Sequence, residues 1–202
     1  MRRSTWFLVI TLIATAGHAT RIDMKDPRRA VGAEDDVRVD AQLTTEFVSA
    51  HSPIGVTYQI HNLSSRTIAV ADRLCEASYD SDTATIALSV GSEVPSGGEM
   101  PRLVIIRSGE TGTFTAGAVL KSSLRALRIA MHAFVQIRVN VLRDASPFMA
   151  LMERQKRANA GVVLSDEDFD QWLKLNESIV LNTIPVRYRA VEETRAADAS
   201  RR

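Results

Sequence analysis

Short runs of alternating apolar and polar residues recur along the middle of the chain and predict β-strands. In residues 56–60 and 134–143, apolar side chains recur at alternate positions, which is the period of a strand with one buried face. Similar runs occupy residues 37–41, 66–70, 83–90, 103–107, 111–116 and 184–188. Seven or eight short strands separated by turn residues are typical of an antiparallel sandwich or barrel.

Turn residues predict that some of these strands form hairpins. Asn-Leu-Ser-Ser at 62–65 separates two strand-like runs, and Ser-Gly-Glu at 108–110 separates two more; both are typical turn sequences. The first of these segments, residues 56–70, resembles the strand–turn–strand pattern of bacterial immunoglobulin-like domains. We therefore predict a mainly β fold, an antiparallel immunoglobulin-like β-sandwich.

Two helices interrupt the β pattern at about 146–176. Ser146 followed by Pro147 predicts the start of the first helix, because proline is favoured at the first helical position; this helix should end before Gly161. Ser165 predicts the start of the second helix, and Asp168 three residues later completes a capping box. The prediction is a two-helix insertion before the last strand, which contains Ile184, Val186 and Tyr188.

The two ends of the chain carry different patterns. Residues 1–19 combine two arginines, an apolar run at 6–14 and small residues suited to cleavage, which is the layout of a secretory signal peptide. Residues 20–36 are charged and aperiodic, so we predict a flexible N-terminal segment, and we predict a disordered tail at 191–202. The β-sandwich domain is then 37–190. Abundant arginine with scarce lysine favours a bacterial source. Together with the signal peptide, this predicts a periplasmic or secreted protein.

Composition narrows the classes of partner. The chain has 25 basic and 24 acidic residues; loss of Arg2 and Arg3 with the signal peptide leaves 23 against 24, a net charge of −1. Such a chain lacks the basic surface that binds nucleic acid. After the signal peptide no apolar run approaches the ~20 residues of a membrane span. Cys75 is the only cysteine, so no disulfide forms within the chain.

The sequence contains no recognisable catalytic motif, and it predicts no cofactor. Carboxylates such as Asp72, Asp80 and Asp82 leave open an exported hydrolase acting on cell-wall or glycan material, which would need acidic side chains converging in a cleft. A periplasmic carrier of a metal or small ligand is a further alternative, because thioether and imidazole groups are suitable ligands for copper(I). The candidate ligands are Met131, His132, Met149 and Met152.

The lack of catalytic motifs favours a non-enzymatic module that binds another protein. The helical insertion is the predicted contact surface, because it breaks the β pattern and carries aromatic and methionine side chains of the kinds enriched at interfaces. Its candidate residues are Phe148, Met149, Lys156 and Trp172.

Overall fold

The structure is a computed structural model that describes residues 22–23, 25–49, 52–120 and 132–188. Within these ranges it contains fourteen strands and two α-helices. The strands are β1 (Arg29–Glu34), β2 (Val37–Leu43), β3 (Phe47–Val48), β4 (Pro53–Asn62), β5 (Ile68–Val70), β6 (Cys75–Asp80), β7 (Thr85–Val90), β8 (Glu99–Met100), β9 (Val104–Ile106), β10 (Thr111–Val119), β11 (His132–Leu142), β12 (Val162–Val163), β13 (Asn176–Val180) and β14 (Ile184–Tyr188). The helices are α1 (Met149–Ala158) and α2 (Asp166–Leu175). The predicted signal peptide, the predicted C-terminal tail and Met131 lie outside the described residues.

The strands form two main sheets and one small one. The first sheet has the order β1-β2-β4-β10 and is antiparallel throughout. The second is built around β11, which pairs with β13 and β14 on one side and with β7 and β5 on the other. Two of its pairs, β7 with β11 and β3 with β14, are parallel. The third sheet pairs β8 with β12.

Inward-facing side chains of the two main sheets share one hydrophobic core, which gives a sandwich-like arrangement. Val39 and Ile60 from the first sheet belong to the same buried cluster as Ile86, Val135 and Ile137 from the second. The prediction of a mainly β chain with two helices is confirmed, but the second sheet is mixed rather than purely antiparallel.

The last predicted strand is confirmed as β14, but an additional strand that was not predicted, β13, lies between it and the second helix. Arg138 pairs with Val180, and Val135 pairs with Ile184. Three residues along β11 therefore match four residues along the segment that contains β13 and β14. The extra residue is the mark of a β-bulge, which bends one long strand into β13 and β14. Asn182 lies in this bulge.

The expected flexible segment at 20–36 is wrong over its second half, since Arg29–Glu34 form strand β1 paired with β2. The sequence of β1 shows little apolar–polar alternation, because this strand packs closely against the other sheet through small residues. A Cβ on Gly32 would lie 2.7 Å from the Val180 carbonyl oxygen. The Asn182 side chain accepts from the Val31 N–H at 2.7 Å and joins the two sheets.

Neither predicted hairpin exists, because each turn carries the chain from one sheet to the other. β4 and β10 belong to the first sheet, whereas β5 and β9 belong to the second. The two connections pack on each other through the buried Asn62 side chain, which donates to the carbonyls of Arg66 and Ile106 at 2.8 and 3.0 Å. Ser108 Oγ also donates to the Ser64 carbonyl at 2.6 Å.

Both predicted helices are confirmed. Ser165 Oγ accepts from the Asp168 N–H at 3.1 Å, and the two side chains form the predicted capping box. The first helix begins with a 3-10 turn at Ser146–Phe148 and ends at Asn159, which adopts a left-handed conformation with φ of 48°. No helix in the described ranges is long and apolar enough to cross a membrane.

Candidate functional site

A cleft of about 620 Å³ lies between β9 and α1, and we call it the strand–helix cleft. On the strand side it is lined by Val104 and Ile105, the first two residues of β9, and by Arg102 and Leu103, which precede the strand. Successive side chains of a strand point to opposite faces, so a cleft over one face of β9 would be lined by only one of Val104 and Ile105. The strand–helix cleft therefore runs along the edge of β9.

The other wall of the cleft is one face of α1. Met149, Met152, Glu153 and Lys156 all line it, and their spacing of three and four residues places them on one side of a helix. Leu151 points away and is buried. The wall is completed by Gln155, Asn159, Ala160 and Gly161.

A second hydrophobic core holds α1 and α2 against the β structure. Phe148 and Trp172 are buried at its centre and meet edge to face with ring centroids 5.7 Å apart. Trp172 also donates its Nε1–H to the Glu93 carbonyl at 3.1 Å. Met149 is 42% exposed in the cleft, where Lys156 is exposed as well. Of the four predicted surface residues, Phe148 and Trp172 are therefore core residues, because aromatic side chains next to two sheets bury more surface by packing inward.

The basic residues of the cleft lie at one end of it. Gln155 donates to the Met100 carbonyl at 2.8 Å, so the C-terminal half of α1 lies beside residues 99–102, and Arg102 and Lys156 share that end. Among the described residues neither has an ion-pair partner within 4.0 Å. Glu153 also lines the cleft, which leaves one net positive charge among its charged side chains.

β9 is the end strand of its sheet. It pairs with β5 on one side, with Val104 opposite Val70, and the described part of the chain provides no strand on its other side. In an antiparallel pair alternate residues direct their N–H and C=O groups away from the partner. The cleft therefore has backbone hydrogen-bonding groups along one wall, an apolar surface on both walls and positive charge at one end. Comparison with protein-family models, curated proteins and solved structures finds no significant match. The chemistry of the cleft is thus argued from its own residues.

Of the candidate copper ligands, Met149 and Met152 lie together, whereas the backbone of His132 lies at the far end of β11. Met149 and Met152 line the cleft, beside the end of β11 where Val141 pairs with β5. His132 begins β11 nine residues earlier, about 30 Å away along the strand, and Met131 lies outside the described residues. Within those residues no three His, Cys, Asp or Glu side chains are grouped to hold a metal ion.

Of the candidate hydrolase carboxylates, Asp80 and Asp82 share one exposed turn, whereas Asp72 lies apart from them. Asp80 accepts from the Asp82 N–H at 2.9 Å and from the Thr83 hydroxyl at 2.8 Å, which closes the turn between β6 and β7. Asp72 precedes the other end of β6, and that strand spans about 16 Å. Paired carboxylates of glycosidases lie within about 10 Å, so Asp72 and Asp80 do not form such a pair here.

An ionic cluster on the outer face of the first sheet was not predicted from the sequence. Asp40 is 3% exposed and accepts from Arg38 Nη2 at 3.0 Å and from Arg29 Nη2. His61 Nε2 lies 3.3 Å from Asp40 Oδ2, and His61 Nδ1 lies 3.0 Å from Thr111 Oγ1. Burial raises the pKa of Asp40, but the hydrogen bonds from Arg38 and Arg29 outweigh it and lower that pKa below its ordinary value.

The Thr111–His61–Asp40 chain has the order of a nucleophile, a base and an acid. In this cluster the charge of Asp40 is balanced by Arg29 and Arg38. Charged residues at alternating positions, Arg38 and Asp40, are the sequence signal that could have located this cluster on one face of β2.

Tyr58, Asp72 and Cys75 form a third group at the margin of the main core, where Tyr58 is buried and Asp72 and Cys75 are partly buried. The Tyr58 hydroxyl and Asp72 Oδ1 are buried without a hydrogen-bond partner among the described residues. Tyr58 stacks on Phe114 with centroids 5.3 Å apart. Burial first, then Asp72 and Cys75, raises the pKa of Tyr58, so its hydroxyl stays protonated.

The thiol of Cys75 is expected to react slowly in the folded protein. Burial first, then Glu76, raises its pKa to about 11, and only the thiolate is nucleophilic. At about pH 8 we expect alkylation by iodoacetamide to be roughly 100-fold slower than in the urea-unfolded chain, measured by mass spectrometry of timed samples. Equal rates in the two states would contradict the burial of this residue.

Proposed function

We propose that this chain is an exported, non-enzymatic module that binds another protein through the strand–helix cleft. The observation that carries the proposal is the combination in one cleft of an apolar strand edge, exposed Met149 and two basic side chains that have no ion-pair partner in the part of the chain that the structure describes. Methionine and arginine are both enriched at protein interfaces. Export is inferred from the signal-peptide pattern of residues 1–19.

The volume of the cleft and the fixed position of its helical wall support a role in binding. The volume of about 620 Å³ is within the range of ligand clefts. The helical wall is held by the second core, where Phe148 and Trp172 are buried, and by the Gln155 bond to the Met100 carbonyl. A wall fixed before binding loses little conformational entropy when a partner arrives.

The proposal includes the fold class, an immunoglobulin-like β-sandwich. It is supported by the two sheets that share a core and by the two packed connections that pass between the sheets at Asn62. The two parallel strand pairs of the second sheet distinguish this chain from a purely antiparallel sandwich.

Replacing both Met149 and Lys156 with alanine is expected to reduce recovery of a specific protein partner about tenfold or more, because interface energy is concentrated in a few central side chains. The measurement is affinity capture from a periplasmic extract of the source organism with quantitative mass spectrometry, comparing the wild type with the variants.

A matched control is the double variant Leu173→Ala with Lys174→Ala, which removes the same kinds of side chain from the exposed face of α2 outside the cleft. Leu173 is 46% exposed, close to the exposure of Met149. Recovery should be unchanged by this control. A partner that is lost equally from both double variants, or from neither, would overturn the cleft as the binding surface.

A further inference from the structure

We infer that the strand–helix cleft binds its protein partner as an extended segment that adds a strand to β9 and places an acidic side chain against Arg102 and Lys156. This inference rests on the proposed function and specifies the chemistry of the partner. Three independent features of the cleft lead to it: its unpaired backbone edge, its length and its charge.

The first feature is the unpaired edge of β9. An edge strand with free N–H and C=O groups is a template for pairing with another chain, and domains that bind extended peptides use such edges. β9 begins at Val104 and ends at Ile106, and the lining by its successive residues Val104 and Ile105 places the cleft along this edge. A bound strand would therefore lie in the cleft and pair with β9 around Val104 and Ile105, because the Ile106 carbonyl already accepts from Asn62.

The second feature is the length of the two walls. A ten-residue helix is about 15 Å long, and residues 102–105, of which the last two belong to β9, span at most about 13 Å. The cleft between them therefore accommodates four or five residues of an extended segment. A helix about 10 Å wide laid in the same cleft would leave the backbone groups of β9 unpaired, which disfavours it.

The third feature is the arrangement of charge and apolar surface. Lys156 is one helical turn, about 6 Å, from Met152 and about 10 Å from Met149 along α1. Residues two apart in a strand lie on the same face about 7 Å apart. An acidic residue at the Arg102 end, followed two positions away by a large apolar residue, therefore meets Lys156 and Met152 together. The negative charge of Glu153 disfavours further acidic residues in the part of the bound segment that lies near the middle of the cleft.

The test uses a phage-displayed library of random linear dodecapeptides, selected on the purified protein, followed by fluorescence anisotropy of the enriched peptide. We expect an aspartate or glutamate two residues from a large apolar residue. Each backbone nitrogen of the peptide is then methylated in turn. Strand addition predicts that methylation weakens binding about tenfold or more at alternate positions across the pairing segment, because every second N–H bonds to β9, and changes it little at the positions between.

The charge is tested on the protein. Arg102→Ala should weaken binding of the acidic peptide about tenfold, and the loss should vanish for a peptide whose acidic residue is replaced by its amide. Arg154→Ala is the matched control, because Arg154 is an exposed arginine of α1 that does not line the cleft. Circular dichroism shows whether each variant is folded.

The outcomes separate this inference from the proposed function. Failure to enrich any peptide, or binding that is insensitive to N-methylation, overturns strand addition, and so does equal loss with Arg102→Ala and Arg154→Ala. If partner capture still depends on Met149 and Lys156, the proposed function stands while the mode of binding is wrong. If capture does not depend on them, both are wrong.

Discussion

Replacing Trp172 with alanine is expected to lower the free energy of unfolding by about 3–5 kcal/mol. The side chain is 1% exposed, packs edge to face on Phe148 and donates to the Glu93 carbonyl. Alanine would leave a cavity at the centre of the second core and remove the hydrogen bond to that carbonyl. Because this core supports α1, the variant should also weaken binding in the strand–helix cleft.

The measurement is urea unfolding followed by far-ultraviolet circular dichroism, which does not depend on tryptophan fluorescence. Trp172→Phe keeps most of the apolar volume but loses the bond to Glu93, so its cost should be smaller, about 1–2 kcal/mol. Leu173→Ala, the exposed neighbour, should change stability by no more than about 0.5 kcal/mol. Equal losses at positions 172 and 173 would contradict the second core.

Replacing Asp40 with asparagine is expected to cost about 3 kcal/mol at neutral pH. Asparagine has nearly the same shape, so the loss reports the charge rather than packing. Without the carboxylate, Arg29 and Arg38 lie near each other and near His61 with no opposite charge between them. Urea unfolding measures the loss, and Glu34→Gln on the adjacent strand, which is exposed, should change stability by no more than about 0.5 kcal/mol.

The cost of Asp40→Asn should depend on pH with a definite sign. Hydrogen bonds from the two arginines make the pKa of Asp40 lower in the folded than in the unfolded chain, so the carboxylate stabilises the fold fully above the unfolded pKa of about 4. That contribution is lost as the pH falls through the lower folded pKa. The difference between wild type and variant should shrink as the pH falls below about 4. A difference that does not change with pH would contradict a charge-based role.

Local signals in the sequence were sufficient to locate the helices. Ser165 and Asp168 satisfy the first N–H groups of α2 within four residues of chain, so their effect depends on nothing distant. The strand pattern of β11 was equally clear, because its buried residues alternate along one segment. The weak strand β1 was missed because Gly32 and its small neighbours reflect close packing on Val180 rather than apolar alternation.

Strand partners were predicted poorly. The turns at 62–65 and 108–110 were recognised, but a turn sequence reports only that the chain reverses. Whether the following strand joins the same sheet depends on the rest of the fold, and here both connections cross between sheets around Asn62. For the same reason Trp172 was placed among the surface candidates, since the sequence does not show what covers a helix face.

The mainly β character and the two helices follow from the sequence alone, because each depends on residues that are close together along the chain. The packing of distant elements adds that Arg102 lies in one cleft with Met149 and Lys156, that Phe148 and Trp172 are buried, and that β9 has one edge without a partner strand among the described residues. The physical reason is that side-chain periodicity specifies which face of an element is apolar. Which distant element covers that face, and which strand edge stays open, is set by the packing of the whole chain.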